Sequence, residues 1–219
     1  TMGDLSDFLG KHKRSFPIGL SGLTGVGYIL TGGISPLSRS RGLAIDQILE
    51  ISGFWGNGSN FSLSRPSSLE TSSHEWKAIC GAAIFLGVVT KIKLKTQQLR
   101  PVISWTANLT FSQLSECINY AEIWPNFLSF QWIWGEYIFG HAIAEIINPE
   151  QESEIINLLE KLPYSSKRRI NKFDNLHSLP SLTQPNLKNK STHHSEVLGL
   201  LGPAWGEDNL KVLKSIQNL

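Results

Sequence analysis

Hydrophobic and polar positions along the chain repeat mostly with a helical period. Leu5, Phe8 and Leu9 stand at i, i+3 and i+4, with Asp4 as N-cap and Asp7 in the first turn, which predicts a helix over 5–14. Lys11, Lys13 and Arg14 crowd its last turn, where cations suit the helix dipole, and Pro17 stops it. A second short helix is expected over 20–30, its glycines permitting close packing, and 31–42 reads as a loop. Ile45, Ile48 and Leu49 share one face of an expected helix over 43–52, closed by GFWGNGSN.

Serine and proline dominate 57–73, a linker or long loop. HEWKAICGAAIFLGVV (74–89) reads as a buried helix. TKIKLKT (90–96) alternates, Ile92 and Leu94 against Lys91, Lys93 and Lys95, as in a short strand or a helix end with a basic face. Thr110 caps a helix to about Tyr120, and Pro125 separates it from a longer one ending near Asn148. Ile155, Leu158, Leu159 and Leu162 line an amphipathic helix over 149–163, with Pro149 in its first turn. Residues 164–195 are polar and loose, and a terminal helix follows Gly206. The expected fold is therefore mainly α. It has a helix-turn-helix-like unit (1–60), a linker (61–73) and an aromatic-rich helical domain (74–163) with at most a short β element. A polar loop (164–195) and a C-terminal helix (196–219) complete it.

Composition narrows the function classes. The 219 residues carry a net charge of +2 with 17% charged and 41% hydrophobic residues, which excludes a strongly basic nucleic-acid coat but allows local basic patches. Two cysteines, Cys80 and Cys117, cannot form a disulfide framework, and Asp4 and Asp7 interrupt any leader-like apolar run, so a cytoplasmic location is expected. Residues 79–89 are too few to span a bilayer, and 123–147 are broken by Pro125, Gln131, Glu136, His141 and Glu145, so no membrane role is expected.

Motifs for catalysis are absent. Gly22, Gly25 and Gly27 lead into Tyr28, Ile29 and Leu30 without the lysine of a P-loop or the GxGxxG spacing, so the glycines are assigned to packing and turns rather than to phosphate. His74 and Cys80 lack a second ligand pair, so neither a metal nor another cofactor is expected. No GxSxG occurs. His141 and Glu145 stand i, i+4 on an expected helix, near Glu136; a hydrogen-bonded polar pair explains them better than catalysis. Three basic groups suit phosphate backbones: Lys11, Lys13 and Arg14; Arg39 and Arg41; and Lys167, Arg168, Arg169 and Lys172.

LSDFLGKHKR (5–14) followed by GLSGLTGVG (19–27) resembles the start of TniQ-family proteins, which select targets for transposition, some with CRISPR systems. Leu5, Ser6, Phe8, Leu9 and Gly10 fit the family's opening helix, and LAIDQILEISG its early helical arrangement. Cys80 and Gly81 match the entrance to the family's zinc fingers, but Ala83 stands where the next cysteine is due. The resemblance implies a non-enzymatic DNA-associated adaptor. Its partners would be DNA and a AAA+ transposition regulator or a guide-RNA effector complex, with Trp124, Trp132 and Trp134 as a partner surface. The alternatives are a DNA-binding regulator outside transposition, a protein-only scaffold, or an enzyme using Glu136, His141 and Glu145.

Overall fold

A computed structural model describes residues 1–19, 22–68, 71–134, 137–179, 211 and 214–215. They divide into two units, one built on Thr1–Arg100 with the returning residues 174–179, the other on Pro101–Phe173.

Unit 1 begins with α1 (Met2–Lys11). Thr1, not Asp4, is the N-cap: its hydroxyl accepts from the Asp4 amide at 3.2 Å, and Asp4 reaches back to close a capping box. The helix therefore starts three residues earlier than expected and ends before Arg14, which lies in β1 (Arg14–Ser15), paired antiparallel with β5 (Gln97–Gln98). The glycine-bearing stretch is a loop leading into the single turn α2 (Gly27–Leu30); a second single turn, α3 (Ser38–Arg41), follows. This is not a helix-turn-helix.

The helix expected over 43–52 is a 3-10 turn, Ile45–Gln47, running into strand β2 (Ile48–Trp55). β2 is the centre of an antiparallel sheet with β3 (Asn60–Ser64) and β4 (Gly87–Leu94). Opposite Leu94–Lys93, β2 spends two steps, Ile48 to Glu50, on one of its partner's. That bulge puts Ile48 and Ile51, three apart and each 1% exposed, on the same side. The helical spacing of Ile45, Ile48 and Leu49 comes from a 3-10 turn running into this strand. The alternation over 90–96 is strand β4, and α4 (His74–Leu86), capped by Ser73, breaks at Cys80–Gly81, where Gly81 has φ +110°. Phe16, Ile29, Ile48, Ile51, Trp76 and Ile79 centre the core of this unit. The expected linker 61–73 holds most of β3 and lies inside unit 1.

Unit 2 is a four-stranded antiparallel sheet, order β7-β8-β6-β9, built from β6 (Val102–Leu109), β7 (Leu128–Trp134), β8 (Ile138–Glu145) and β9 (Ser166–Phe173). Two helices join it: α5 (Phe111–Ile123), with Thr110 and Gln113 forming a capping box, and α6 (Gln151–Glu160). The long helix expected after Pro125 is the hairpin β7–β8. Its period-2 pattern is hidden because most of β8 is buried on both faces, which turns alternation into a near-continuous apolar run. The basic stretch 165–172, expected to be loose, is almost all strand β9. Residues 180–195 and most of the expected C-terminal helix lie outside the described residues. The fold is thus mixed α and β with three antiparallel sheets, not mainly α. Among the described residues no helix is long and apolar enough to cross a membrane.

Two glycines make opposite tests of this packing. A Cβ on Gly53, beside the second irregularity of β2, would meet the Val88 carbonyl oxygen at 2.1 Å, whereas one on Gly10 of α1 meets nothing within 4 Å. Gly53→Ala should destabilise unit 1 by about 2 kcal/mol or more. Gly10→Ala should stabilise it by at most about 1 kcal/mol. Urea midpoints followed by circular dichroism check both signs.

Candidate functional site

Alternation divides the unit 2 sheet into two chemically different faces. Ile103, Trp105 and Ala107 of β6 and Ala142 and Ala144 of β8 point to one side, where Leu114, Cys117 and Ile118 of α5 and Ile155 and Leu159 of α6 complete a core. On the other side, in-register pairs line up Gln131, His141, Thr106 and Arg169 across all four strands. The neighbouring tier is Ser129, Ile143, Ser104 and Asn171. Both helices lie on the first face, yet the second is buried at its centre: His141 is 3% exposed, Ser104 and Glu145 4% and Ser129 7%.

Buried polar side chains need partners. His141 Nε2 and Ser104 Oγ lie 3.0 Å apart, while His141 Nδ1 has no partner. Burial pushes the imidazole down to about 4, so the ring is neutral through the physiological range. A neutral imidazole with one nitrogen anchored and the other open can orient, accept or donate a hydrogen bond.

Of the three acid–base candidates, Glu136 lies outside the described residues. His141 and Glu145 are on a strand, not a helix. Four residues of strand separate them by about 13 Å, so they share a face without meeting. Ser104, Thr106 and Gln131, which do neighbour His141, were missed. Their signal was the alternation of polar and apolar residues in VISWTANL and LSFQWIW.

The basic candidates are not brought together. Lys11 and Lys13 are exposed at the end of α1, and Arg14 donates through Nε to Thr96 Oγ1 at 3.0 Å. Arg39 is exposed on α3. Arg41 braces unit 1, donating to Ser15 Oγ at 2.6 Å; burial, with Arg100 nearby, holds its guanidinium down to about 10. On β9, Arg168 sits 5.0 Å over the Tyr164 ring, Lys172 pairs with Glu152 at 2.5 Å, and Lys167 and Arg169 are exposed. Trp124 is buried and Trp132 packs on the core; the Trp134 side chain lies outside the description.

Unit 1 contributes an exposed glycine segment, residues 22–26, before α2. The Thr24 and Gly22 carbonyls accept from Met2 and Gly3 at 2.7 and 2.9 Å, tying the segment to α1. A Cβ at Gly25, Gly27 or Gly32 would meet nothing within 4 Å. The Tyr28 ring lies against Gly19 and Gly33, and its hydroxyl is buried without a partner.

No family model matches the chain. Over 129 residues it is 35% identical to the FAD-linked oxidoreductase nodO of Hypoxylon pulicicidum, covering 54% of this chain and 28% of that protein. Among solved structures, Physcomitrella patens BBE-like 1 matches 99% of this chain and 51% of its own length, with a TM-score of 0.75 and 18% identity. The chain shares the fold of the matched half of that structure. A xylooligosaccharide oxidase from Myceliophthora thermophila C1 matches 79% of this chain and 38% of its own length, with a TM-score of 0.61 and 22% identity. The chain thus spans about half the length of the first of these structures and less of the other two proteins.

These relatives overturn the TniQ resemblance, whose expected helices over 20–30 and 43–52 are a loop with a single turn and a 3-10 turn running into a strand. The expected non-enzymatic DNA-associated adaptor falls with it, as do DNA, a AAA+ regulator and a guide-RNA complex as partners: the similar proteins are oxidoreductases.

The glycine segment fits a flavin dinucleotide by its chemistry. A pyrophosphate and a flat ring both require backbone that comes close with no side chain intervening, which Gly25, Gly27 and Gly32 allow. Two named nucleotide motifs are missing, but neither is needed for a backbone cradle.

His141 also makes a test of its own surroundings. Its pKa is 6.5 in the ordinary case and about 4 when folded, so between these values the unfolded chain takes up a proton that the folded chain refuses. His141 costs no stability above about pH 7; as pH falls from 6.5 to 4 stability declines, by about 3 kcal/mol in all. His141→Gln should lack this component. Urea midpoints of the two proteins should diverge only below pH 6.5; parallel profiles would show that the ring is not held neutral.

Proposed function

We propose that the chain is the cofactor-holding and substrate-recognising part of an FAD-linked oxidoreductase acting on a small molecule. One observation carries this reading: 35% identity over 129 residues to an FAD-linked oxidoreductase. The BBE-like fold across 99% of the chain is consistent with it. Unit 1 would hold FAD through the backbone of Gly25, Gly27 and Gly32, which have open space beside them. Unit 2 would contribute the polar sheet face, on which Ser104, Thr106, Gln131 and His141 orient a substrate. Bound FAD supplies the redox chemistry, accepting two electrons from the substrate. The protein's own part is to position the reacting carbon, keep the site dry and satisfy the substrate's polar groups.

Titrating the 219-residue chain with FAD tests this reading. Binding at one FAD per chain, seen as a shifted flavin spectrum and quenched fluorescence, is expected. Gly25→Leu places a side chain in open space, so it should leave the thermal midpoint unchanged while weakening FAD binding by about tenfold or more. Failure of the unaltered chain to bind FAD would overturn the proposal.

A further inference from the structure

Beyond β3 the chain runs through Arg65, Pro66, Ser67 and Ser68, which with Trp76 of α4 line a cavity of about 90 Å³ in unit 1. Pockets for dinucleotides and other large ligands run to about 300 Å³ or more, so this one takes neither a cofactor nor a bulky substrate. It has room for several waters or for one small ion. None of the glycines assigned to FAD lines it. Among the described residues its lining carries one cation, two hydroxyls and an indole, and no carboxylate.

Arg65 is held at both ends. Its amide donates to the Leu49 carbonyl at 2.8 Å, continuing the β2–β3 ladder by one step. Its guanidinium donates through Nη1 to the Asp46 carbonyl oxygen and, at 3.4 Å, to that of Ile48. Among the described residues Nε and Nη2 make no hydrogen bond, and the group makes no ion pair. The acids on the adjoining segments have partners of their own: Asp46 Oδ2 accepts from the Leu43 amide at 2.9 Å, and Glu50 pairs with Lys93 at 2.7 Å. A guanidinium anchored by one nitrogen presents the fork of the other two, the geometry that an oxyanion fills with two parallel hydrogen bonds. Ser67 is exposed, and its hydroxyl makes no hydrogen bond among the described residues. Trp76, 4% exposed, gives the cavity a rigid aromatic wall. A neutral ligand leaves the charge of Arg65 unmatched and a cation is repelled by it. A small oxyanion matches charge, donor pattern and volume together.

We propose that this cavity is a binding site for a small tetrahedral oxyanion of the phosphate class, held by Arg65 Nε and Nη2 and completed by the Ser67 hydroxyl. The Asp46 and Ile48 carbonyls act through Arg65 by fixing its fork. The site is separate from the glycine segment and does not rest on the oxidoreductase reading. Its ligand is inorganic phosphate or the phosphate group of a monoester, which offer Arg65 the same oxygens.

Inorganic phosphate is the probe, titrated into the 15N-labelled 219-residue chain at constant ionic strength with chloride as the control. The Arg65 Nε, Ser67 amide and Trp76 indole resonances should shift saturably with phosphate and not with chloride. Phenyl phosphate separates the two sources: binding as tight as phosphate or tighter assigns the site to a monoester, and binding of phosphate alone assigns it to the free ion; either supports the proposal. Ser67→Asp puts a carboxylate at an exposed position that has no hydrogen bond to lose. It should keep the thermal midpoint and weaken phosphate binding by about tenfold or more, because like charges then meet. Arg65→Lys keeps the charge without the fork and should weaken binding by about fivefold. Absence of a saturable phosphate response overturns the proposal. So does an equal response to chloride, or unchanged affinity in Ser67→Asp with the fold intact. FAD added to the same sample should leave the phosphate affinity unchanged; displacement of phosphate by FAD would overturn a separate site. FAD binding without a phosphate response sinks this inference alone, and a phosphate response without FAD binding sinks the oxidoreductase reading alone.

Discussion

Unit 2 depends on how closely β8 can approach its neighbours at Gly140. A Cβ there would meet Leu109 Cδ1 at 2.7 Å, Trp105 at 3.1 Å and Phe130 at 3.3 Å. The space left by one missing side chain lets the fully buried Trp105 ring lie against the strand, beside Phe130 at 6.4 Å between centroids. Because side chains alternate with period two, fixing Gly140 on the helix-covered face places His141 on the other. The register that packs the tryptophan is thus the register that aligns Gln131, His141 and Thr106. Packing on one side of the sheet sets the chemistry on the other.

Unit 1 is built less regularly. Its sheet is irregular where β2 bulges, its helices α2 and α3 are single turns, and its glycine segment is tied to α1 through carbonyls while carrying no side chains at its glycines. The returning residues 174–179 also belong here: Leu176 joins the core, and Ser6 and His177 are hydrogen-bonded. Burial disfavours the charged form of His177, as it does for His141.

Several elements were legible locally. Thr110 as a cap and the stripe of Ile155 and Leu159 form as the pattern indicates, and of the two readings of the alternation at Ile92 and Leu94, strand or helix end, the structure has the strand. The misses share a cause. Ile45, Ile48 and Leu49 look like one helical face because the 3-10 turn Ile45–Gln47 runs straight into strand β2, which period analysis cannot tell from a helix. In 123–148, burial of both sheet faces removes the polar half of the alternation. His141 and Glu145 then looked like a helical pair, while the true neighbours of His141, Ser104 and Thr106, stand 37 and 35 residues away and meet it only through strand pairing.

By itself the sequence determined the Thr110 cap, the amphipathic stripe of α6, the near-neutral charge and the absence of the motifs it was searched for. These are properties of neighbouring residues and of totals. The tertiary structure alone decided that the aromatic-rich region is a sheet, which polar residues share a face, and that His141 is neutral with one open nitrogen. Those depend on register and desolvation, which arise only when distant segments pair. The same holds for the glycine stretch: its lack of a lysine is visible in sequence, but the open space beside Gly25, Gly27 and Gly32 exists only in the folded chain.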